Sequence, residues 1–204
     1  MELLELNGAL QTNLLPKDGV VYYYSSFLKE NTSEEYFNSF LKKIDWKKDE
    51  LIIFGKKIIT KRMVAWYGDY PFHYSYSHTI KEALPWTTDL KNLKNIIEKE
   101  TGESFNSCLL NLYHNGSEGM GWHSDNETEL KKMGTIASIS LGADRKFRFM
   151  HKHTKEKIEV ELGHGSLLLM SGKTQEFWLH QLPVSKRITE SRINLTFRTI
   201  VQNQ

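Results

Sequence analysis

Cysteine is nearly missing from these 204 residues, with Cys108 the one thiol. A single cysteine excludes an internal disulfide and any multi-cysteine zinc or iron–sulfur site. It suits a reducing intracellular compartment, cytoplasmic, or nuclear if the source is a eukaryote. Proline is scarce too: four residues, beside 39% hydrophobic and 25% charged residues, exclude a disordered or collagen-like chain. No excess of one charge exists, since 27 Lys and Arg against 25 Asp and Glu leave a net charge of +2. That balance permits nucleic-acid contact but does not demand it, and histone-like binding by charge alone is not expected. Hydrophobic runs are short, as in Leu167-Leu168-Leu169-Met170, where a membrane span needs about 20 apolar residues. The first residues, MELLELNGALQTNLL, carry no basic flank before their leucines, so neither a signal peptide nor a membrane partner is expected. What remains is a chain long enough to bury a large core without staples, read as one compact domain and a monomer.

Two helices are legible. One is expected from Thr32, with Glu35 three residues on as a capping box and Tyr36, Phe37, Phe40, Leu41 and Ile44 as a buried stripe. The other is expected from Thr87 or Thr88, with Leu90, Leu93 and Ile97 on one face and Gly102 as its stop. From Phe105 onward short runs follow one another: FNSCLLNLYH, TIASISLG, KFRFMHK, KIEVEL, GSLLLMS, EFWLHQL and RINLTFRTIV. Such spacing predicts a β-sandwich or jelly roll, with the helices covering one outer face. The expected class is α+β. Residues 1–50 form an N-terminal segment on the core, 51–103 a surface element with its supporting helix, and 104–204 the core itself.

The last strand predicts a polar inner face. In Arg192-Ile193-Asn194-Leu195-Thr196-Phe197-Arg198 the polar residues point one way and the apolar ones the other. An earlier strand puts Leu109, Asn111 and Tyr113 on one face and Cys108, Leu110 and Leu112 on the other. If the helices cover the apolar faces, the polar faces meet inside the sandwich. Interior arginines there call for an anion, and a carboxylate suits a guanidinium's two-pronged geometry.

His123-Ser124-Asp125 is a second constellation, because in an extended segment both outer side chains reach one ion. Alone it is a weak signal and needs a third ligand. His151 and His153 sit in a lysine-rich stretch and read as a solvated turn. His164 lies between Gly163 and Gly165 and reads as a turn residue. His180, in Phe177-Trp178-Leu179-His180, reads equally as a core histidine. Two imidazoles and a carboxylate on one side of a metal match non-haem Fe(II) oxygenases. A zinc hydrolase with Glu127 as general base is the alternative. The arginine pocket argues against it, because a keto-acid oxygenase needs such a pocket and a simple hydrolase does not.

Taken together, N-L-Y at 111–113, H-S-D at 123–125, H-G-S-L-L at 164–168, His180 and R-I-N-L-T-F-R at 192–198 resemble the AlkB-like Fe(II)- and 2-oxoglutarate-dependent dioxygenases, and within them the nucleic-acid repair demethylases. The resemblance runs from about residue 50 to residue 201. It implies a double-stranded β-helix (jelly-roll) core, with N-terminal helices packed on one sheet and a nucleotide-recognition lid. It also implies iron held by His123, Asp125 and His180. Arg192 and Tyr113 would hold the distal carboxylate of 2-oxoglutarate, with Asn111 and Asn194 on its other oxygens. Arg198 would sit near the keto-acid end and the substrate, as a further catalytic residue. The reaction implied uses O2 and turns 2-oxoglutarate into succinate and CO2. It hydroxylates an N-methyl group of a base such as 1-methyladenine or 3-methylcytosine, and formaldehyde is then lost.

Residues 61–78 resemble the family's lid. Phe72, Tyr74 and Tyr76 alternate, and Tyr76 would stack on a flipped base opposite His123. Glu127 would contact the base's exocyclic group, Asp69 would shape the pocket, and Arg62, of the basic pair Lys61-Arg62, is a candidate substrate contact. Ile53-Phe54-Gly55 resembles the apolar finger of members acting on duplexes, with Phe54 as a wedge. DNA is the expected polymer, with RNA, protein or lipid under the same chemistry as alternatives. A non-catalytic nucleic-acid-binding jelly roll is the remaining one. Further basic pairs, at 131–132, 145–146 and 186–187, predict a positive surface near the iron.

Overall fold

The protein is described by a computed structural model covering residues 3–6, 9–53, 56–76 and 79–201. Within these, residues 3–6, 9–11, 49–53, 56–58, 73–76 and 79–81 are described by their backbone alone. The chain opens with strands β1 (Leu3–Leu6), β2 (Ala9–Thr12) and β3 (Val20–Tyr24) before helix α1 (Glu30–Lys43). Strands β4 (Lys47–Ile53), β5 (Lys56–Gly68), β6 (His73–Tyr76), β7 (Thr79–Glu82) and β8 (Leu84–Pro85) lead to helix α2 (Thr88–Thr101). Then come β9 (Ser107–Tyr113), β10 (Met120–His123), β11 (Ile136–Gly142), β12 (Arg145–His151), β13 (Lys157–Leu162) and β14 (Ser166–Ser171). The helical turn α3 (Thr174–Phe177) precedes β15 (Trp178–Leu182) and β16 (Arg192–Arg198).

Two sheets face each other. The large one runs β3-β14-β11-β16-β9-β5-β4, with β8 beside β5, and the small one runs β10-β15-β12-β13. Hairpins β1-β2 and β6-β7 stand apart from both. All seven runs expected after Phe105 are strands, which makes this antiparallel sandwich the jelly roll the sequence predicts. The strands ahead of them were not legible. β3 pairs with β14 and β5 with β9, so the first half of the chain also builds the large sheet.

Alternation explains the layering. Cys108, Leu110 and Leu112 of β9, Ile139 and Leu141 of β11, and Ile193, Leu195 and Phe197 of β16 form the large sheet's outer apolar face. Phe40 and Ile44 from α1 and its C-cap, with Leu90, Leu93 and Ile97 of α2, cover that face. Burying each such side chain contributes roughly 1.5–3 kcal/mol, so the helices are fixed outside and the polar alternates must turn inward. A second apolar cluster, with Phe149, Leu168, Met170 and Trp178, closes the sandwich at one end. The other end is left to polar groups.

Helix α2 has its expected ends. Thr87 accepts a hydrogen bond from the Leu90 amide, and Gly102 takes the left-handed conformation at φ 72°. Helix α1 differs, starting two residues before Thr32 with Lys29 as an N-cap that makes no side-chain cap bond. Its entry is set by packing instead. Ser33 is fully buried and donates to the Lys29 carbonyl, and the Leu28 amide bonds the Gly165 carbonyl.

Candidate metal and keto-acid site

His123 ends β10, an edge strand, and stands opposite His180 of β15 in the ladder. Their rings meet edge to face with centroids 4.2 Å apart. The chain leaves the strand at Ser124, which brings Asp125 back so that one Oδ lies 3.9 Å from His123 Nε2. One ligand atom from each of His123, Asp125 and His180 lies within 4.8 Å of the other two. No other such group of three exists among the described residues. His123 Nδ1 lies 2.8 Å from the Gly121 carbonyl. A carbonyl only accepts, so the proton sits on Nδ1 and Nε2 offers a lone pair toward the ion.

Electrostatics keep the trio ready for a cation. Burial pushes His180 down to about 4, only partly offset by Asp125, so its imidazole is neutral at neutral pH. Burial alone would raise the Asp125 carboxyl, but Arg198, His180 and His123 outweigh it and hold the group below the usual carboxylate range. Arg198 Nη1 stands 3.7 Å from Asp125 Oδ2. Two imidazoles and a carboxylate from one side, with the remaining directions open, is the donor set of a facial non-haem Fe(II) centre.

Behind the trio lies a cleft of about 70 Å³ between the sheets, which takes in Asn111, Tyr113, Arg192, Asn194 and Arg198. The strand register assembles them. Asn111 pairs across the β9–β16 ladder with Asn194, and Tyr113 with Arg192. Arg192 is 2% exposed and donates to Ser140 Oγ at 2.9 Å, while its Nε has no hydrogen-bond partner. No carboxylate pairs with it among the described residues. Burial lowers its guanidinium to about 10, well above neutral pH, so it stays charged. Asn111 Oδ1 is likewise buried without a partner, whereas Asn194 is held by Ser138 Oγ and the Ile139 carbonyl. A buried cation with nothing to neutralise it is strongly destabilising, so the cleft fits a small carboxylate bound beside the metal.

Other expected residues fall in different places. Glu127 lines a second cavity, of about 430 Å³, on the far side of Asp125 and Arg198, with Lys131 and Lys132 also on its wall. Its Oε2 is buried without a partner, and burial raises its carboxyl. Arg62 is buried, with Nη1 3.4 Å from the sulfur of Met120 at the cleft wall. Asp69 is exposed and accepts from Trp86 Nε1. Tyr76 lies on β6 with only its backbone described, and Phe54 is outside the described residues.

Three readings need correction. Phe72 does not share an open aromatic face with Tyr74 and Tyr76; it is buried, with Trp66 stacked on it. His151 is no solvated turn: it is 3% exposed, with Nε2 3.2 Å from Asp18 and its ring edge-on to Trp178. Arg145 does not contribute to a positive surface. It is 1% exposed, donates to the Glu118 and Pro183 carbonyls, and flanks Tyr113 as Arg192 does, at 5.9 and 5.7 Å from the ring centre. Sequence reasoning also passed over Ser138 and Ser140, although their period-two spacing opposite Ile139 and Leu141 was there to be read. It passed over Phe147, whose ring stacks on His180, and Gln175 and Lys152, which no motif marks.

Comparison with known proteins decides the family. Residues 20–198 match the family described as "2OG-Fe(II) oxygenase superfamily". The chain belongs to it. This 2OG-Fe(II) oxygenase is therefore an enzyme, a 2-oxoglutarate-dependent dioxygenase using Fe(II) and O2, and its AlkB-like character is supported by its relatives. It is 36% identical over 97% of its length to human alpha-ketoglutarate-dependent dioxygenase alkB homolog 3, spanning 72% of that protein. It is 38% identical over 82% of its length to the mouse DNA oxidative demethylase ALKBH2, spanning 70% of it. The solved structure of OsALKBH1 has the same fold, with a TM-score of 0.61 at 17% identity over 91% of this chain and 99% of that one.

Proposed function

We propose that this oxygenase removes alkyl groups from N-methylated bases of DNA, of the 1-methyladenine and 3-methylcytosine type, releasing formaldehyde, succinate and CO2. The observation that carries the chemistry is the buried, uncompensated Arg192 beside the His123–Asp125–His180 cluster. The polymer rests on the relatives, one of which is named a DNA oxidative demethylase.

In this reading His123, Asp125 and His180 would hold iron, which would activate O2, the oxidant, while 2-oxoglutarate gives up two electrons and leaves as succinate and CO2. Arg192 takes the distal carboxylate in a two-pronged contact, and Tyr113 packs on it. Asn111, with its free Oδ1, and Asn194 line the keto acid's remaining length. Arg198 holds Asp125 in place and adds positive charge at the mouth. Phe147 walls the histidine side and keeps water out. Hydroxylation of the methyl carbon makes the adduct a hemiaminal, which collapses to the free base and formaldehyde without further help.

Nucleotide recognition is assigned to the 51–103 stretch, with Tyr76 as stacking partner and Phe54 as wedge. Glu127 and Asp69 border the base, Arg62 backs the cleft wall at Met120, and residues 104–204 supply the catalytic core around them. An enzyme of this kind works as a monomer inside the cell, where DNA is. No helix among the described residues is long and apolar enough to cross a membrane.

The test is mass spectrometry of single- and double-stranded oligonucleotides carrying 1-methyladenine or 3-methylcytosine, offered with iron, ascorbate and 2-oxoglutarate. Loss of one methyl group from DNA supports the reading. Turnover of methylated RNA alone would move it to the other polymer, and no turnover on either would remove it.

A further inference from the structure

Two of the three metal ligands are carried by an unpaired edge. Among the described residues β10 has no neighbour on its outer side, and residues 124–127 belong to no regular element. The ladder therefore cannot fix the pitch of the His123-Ser124-Asp125 turn, yet that pitch decides whether the imidazole and the carboxylate reach one ion. Something else must hold the turn.

Besides the Arg198–Asp125 ion pair, what touches it comes from α3 and from the residue just after β12. The Asp125 amide donates to Gln175 Oε1 at 2.9 Å. Ser124 Oγ accepts from Lys152 Nζ at 3.2 Å, and the same ammonium donates to the Gln175 backbone carbonyl at 2.9 Å. Gln175 Nε2 points to the Met170 sulfur at 3.6 Å, which orients the amide with its oxygen toward Asp125. The support is itself anchored. Thr174 is 1% exposed and its hydroxyl joins the Ser171 and Val20 backbones, while the Lys152 amide donates to the Phe177 carbonyl.

We propose that Gln175 and Lys152 are positioning residues for the metal: they clamp the turn so that His123 and Asp125 converge before the ion arrives. Neither belongs to the ligand trio or lines the keto-acid cleft, although Gln175 also borders the cavity of Glu127. Their effect is on the affinity of the preformed site, and outer partners of metal ligands typically alter metal affinity 10- to 100-fold. The proposal rests on the metal assignment made above, so its test carries a control for that assignment.

The experiment titrates Mn(II) into the metal-free 204-residue chain and counts free ion by electron paramagnetic resonance, with the melting temperature of each metal-free variant measured alongside. Gln175→Met keeps the side chain's length but removes the acceptor. It should weaken Mn(II) about tenfold while leaving the metal-free melting temperature within about 2 °C of wild type. Gln175→Glu keeps an acceptor at the same reach and should bind within threefold of wild type. Ser124→Ala, a small change on a surface turn, should weaken binding about threefold and keeps the test open if Gln175→Met does not fold. Asp125→Ala should abolish binding. If it does not, the metal assignment fails; if it does while Gln175→Met and Ser124→Ala bind as wild type does, the clamp alone is overturned. Weaker binding matched by an equal loss of metal-free stability, or a Gln175→Glu as weak as Gln175→Met, overturns it too.

Discussion

A guanidinium buried without a counter-charge is costly to a fold unless a ligand completes it, and with its Nε left unpartnered Arg192 is the most informative single residue. Its charged contact with a carboxylate contributes roughly 1.5–3 kcal/mol. Arg192→Ala should therefore raise the KM for 2-oxoglutarate about 10- to 100-fold with the metal affinity unchanged, as read by succinate release at varied keto acid. An unchanged KM would mean the acid binds elsewhere. Arg192 was legible because its strand alternates without interruption. Arg145 was not, although the same rule applies: Arg145, Phe147, Phe149 and His151 share the inner face of β12. The neighbouring lysines drew attention to charge instead of period. Gln175 and Lys152 had no signal at all, since their roles depend on α3 folding back under β10.

Elements here are placed by packing more than by local propensity. Thr32 and Glu35 have the spacing of a capping box, but burying Ser33 against the turn after β13 starts α1 earlier. Gly165 in that turn has φ +73°, and a Cβ there would lie 2.3 Å from Ser33 Oγ. Gly165→Ala should cost more than about 1 kcal/mol, measured by urea unfolding. A neutral result would show that the turn and helix adjust freely. Between the helices, Asp89 of α2 accepts from Ser39 of α1 and pairs with Lys43 at 3.1 Å. The Ser39 bond, then Lys43, lowers its carboxyl below the usual value of 3.8. A carboxyl depressed in the fold stabilises it above the unfolded value and loses that contribution as pH falls through the folded one. Asp89→Asn should cost about 0.5–1 kcal/mol at pH 7. The difference from wild type should shrink as the pH drops below 4, in thermal melts at several pH values. A pH-independent difference would contradict the ion pair.

At the scale of the whole molecule, one inversion organises function. Helices cover the apolar faces of β9, β11 and β16, so arginines, asparagines and serines that would otherwise meet water are turned inward. The seven core strands and this inversion were legible because period-two alternation runs unbroken through them. The strands before residue 104 were not, because β3 and β5 owe their places to partners more than a hundred and forty residues and about forty to fifty residues away, respectively. With a net charge of +2, the enzyme should bind DNA through a local patch. Affinity for a methylated oligonucleotide should accordingly fall between 50 and 200 mM salt by less than the 10³- to 10⁵-fold of proteins making many phosphate contacts. A fall as steep as theirs would mean a far wider interface than this charge suggests.

The most direct measurement is stoichiometric: succinate formed and 3-methylcytosine lost are counted together in one reaction with iron, O2 and 2-oxoglutarate, for wild type and for Asp125→Ala. One succinate for each methyl group removed by wild type, and neither product from Asp125→Ala, is the predicted result. Demethylation that continues in the variant, or that proceeds without succinate, would contradict it.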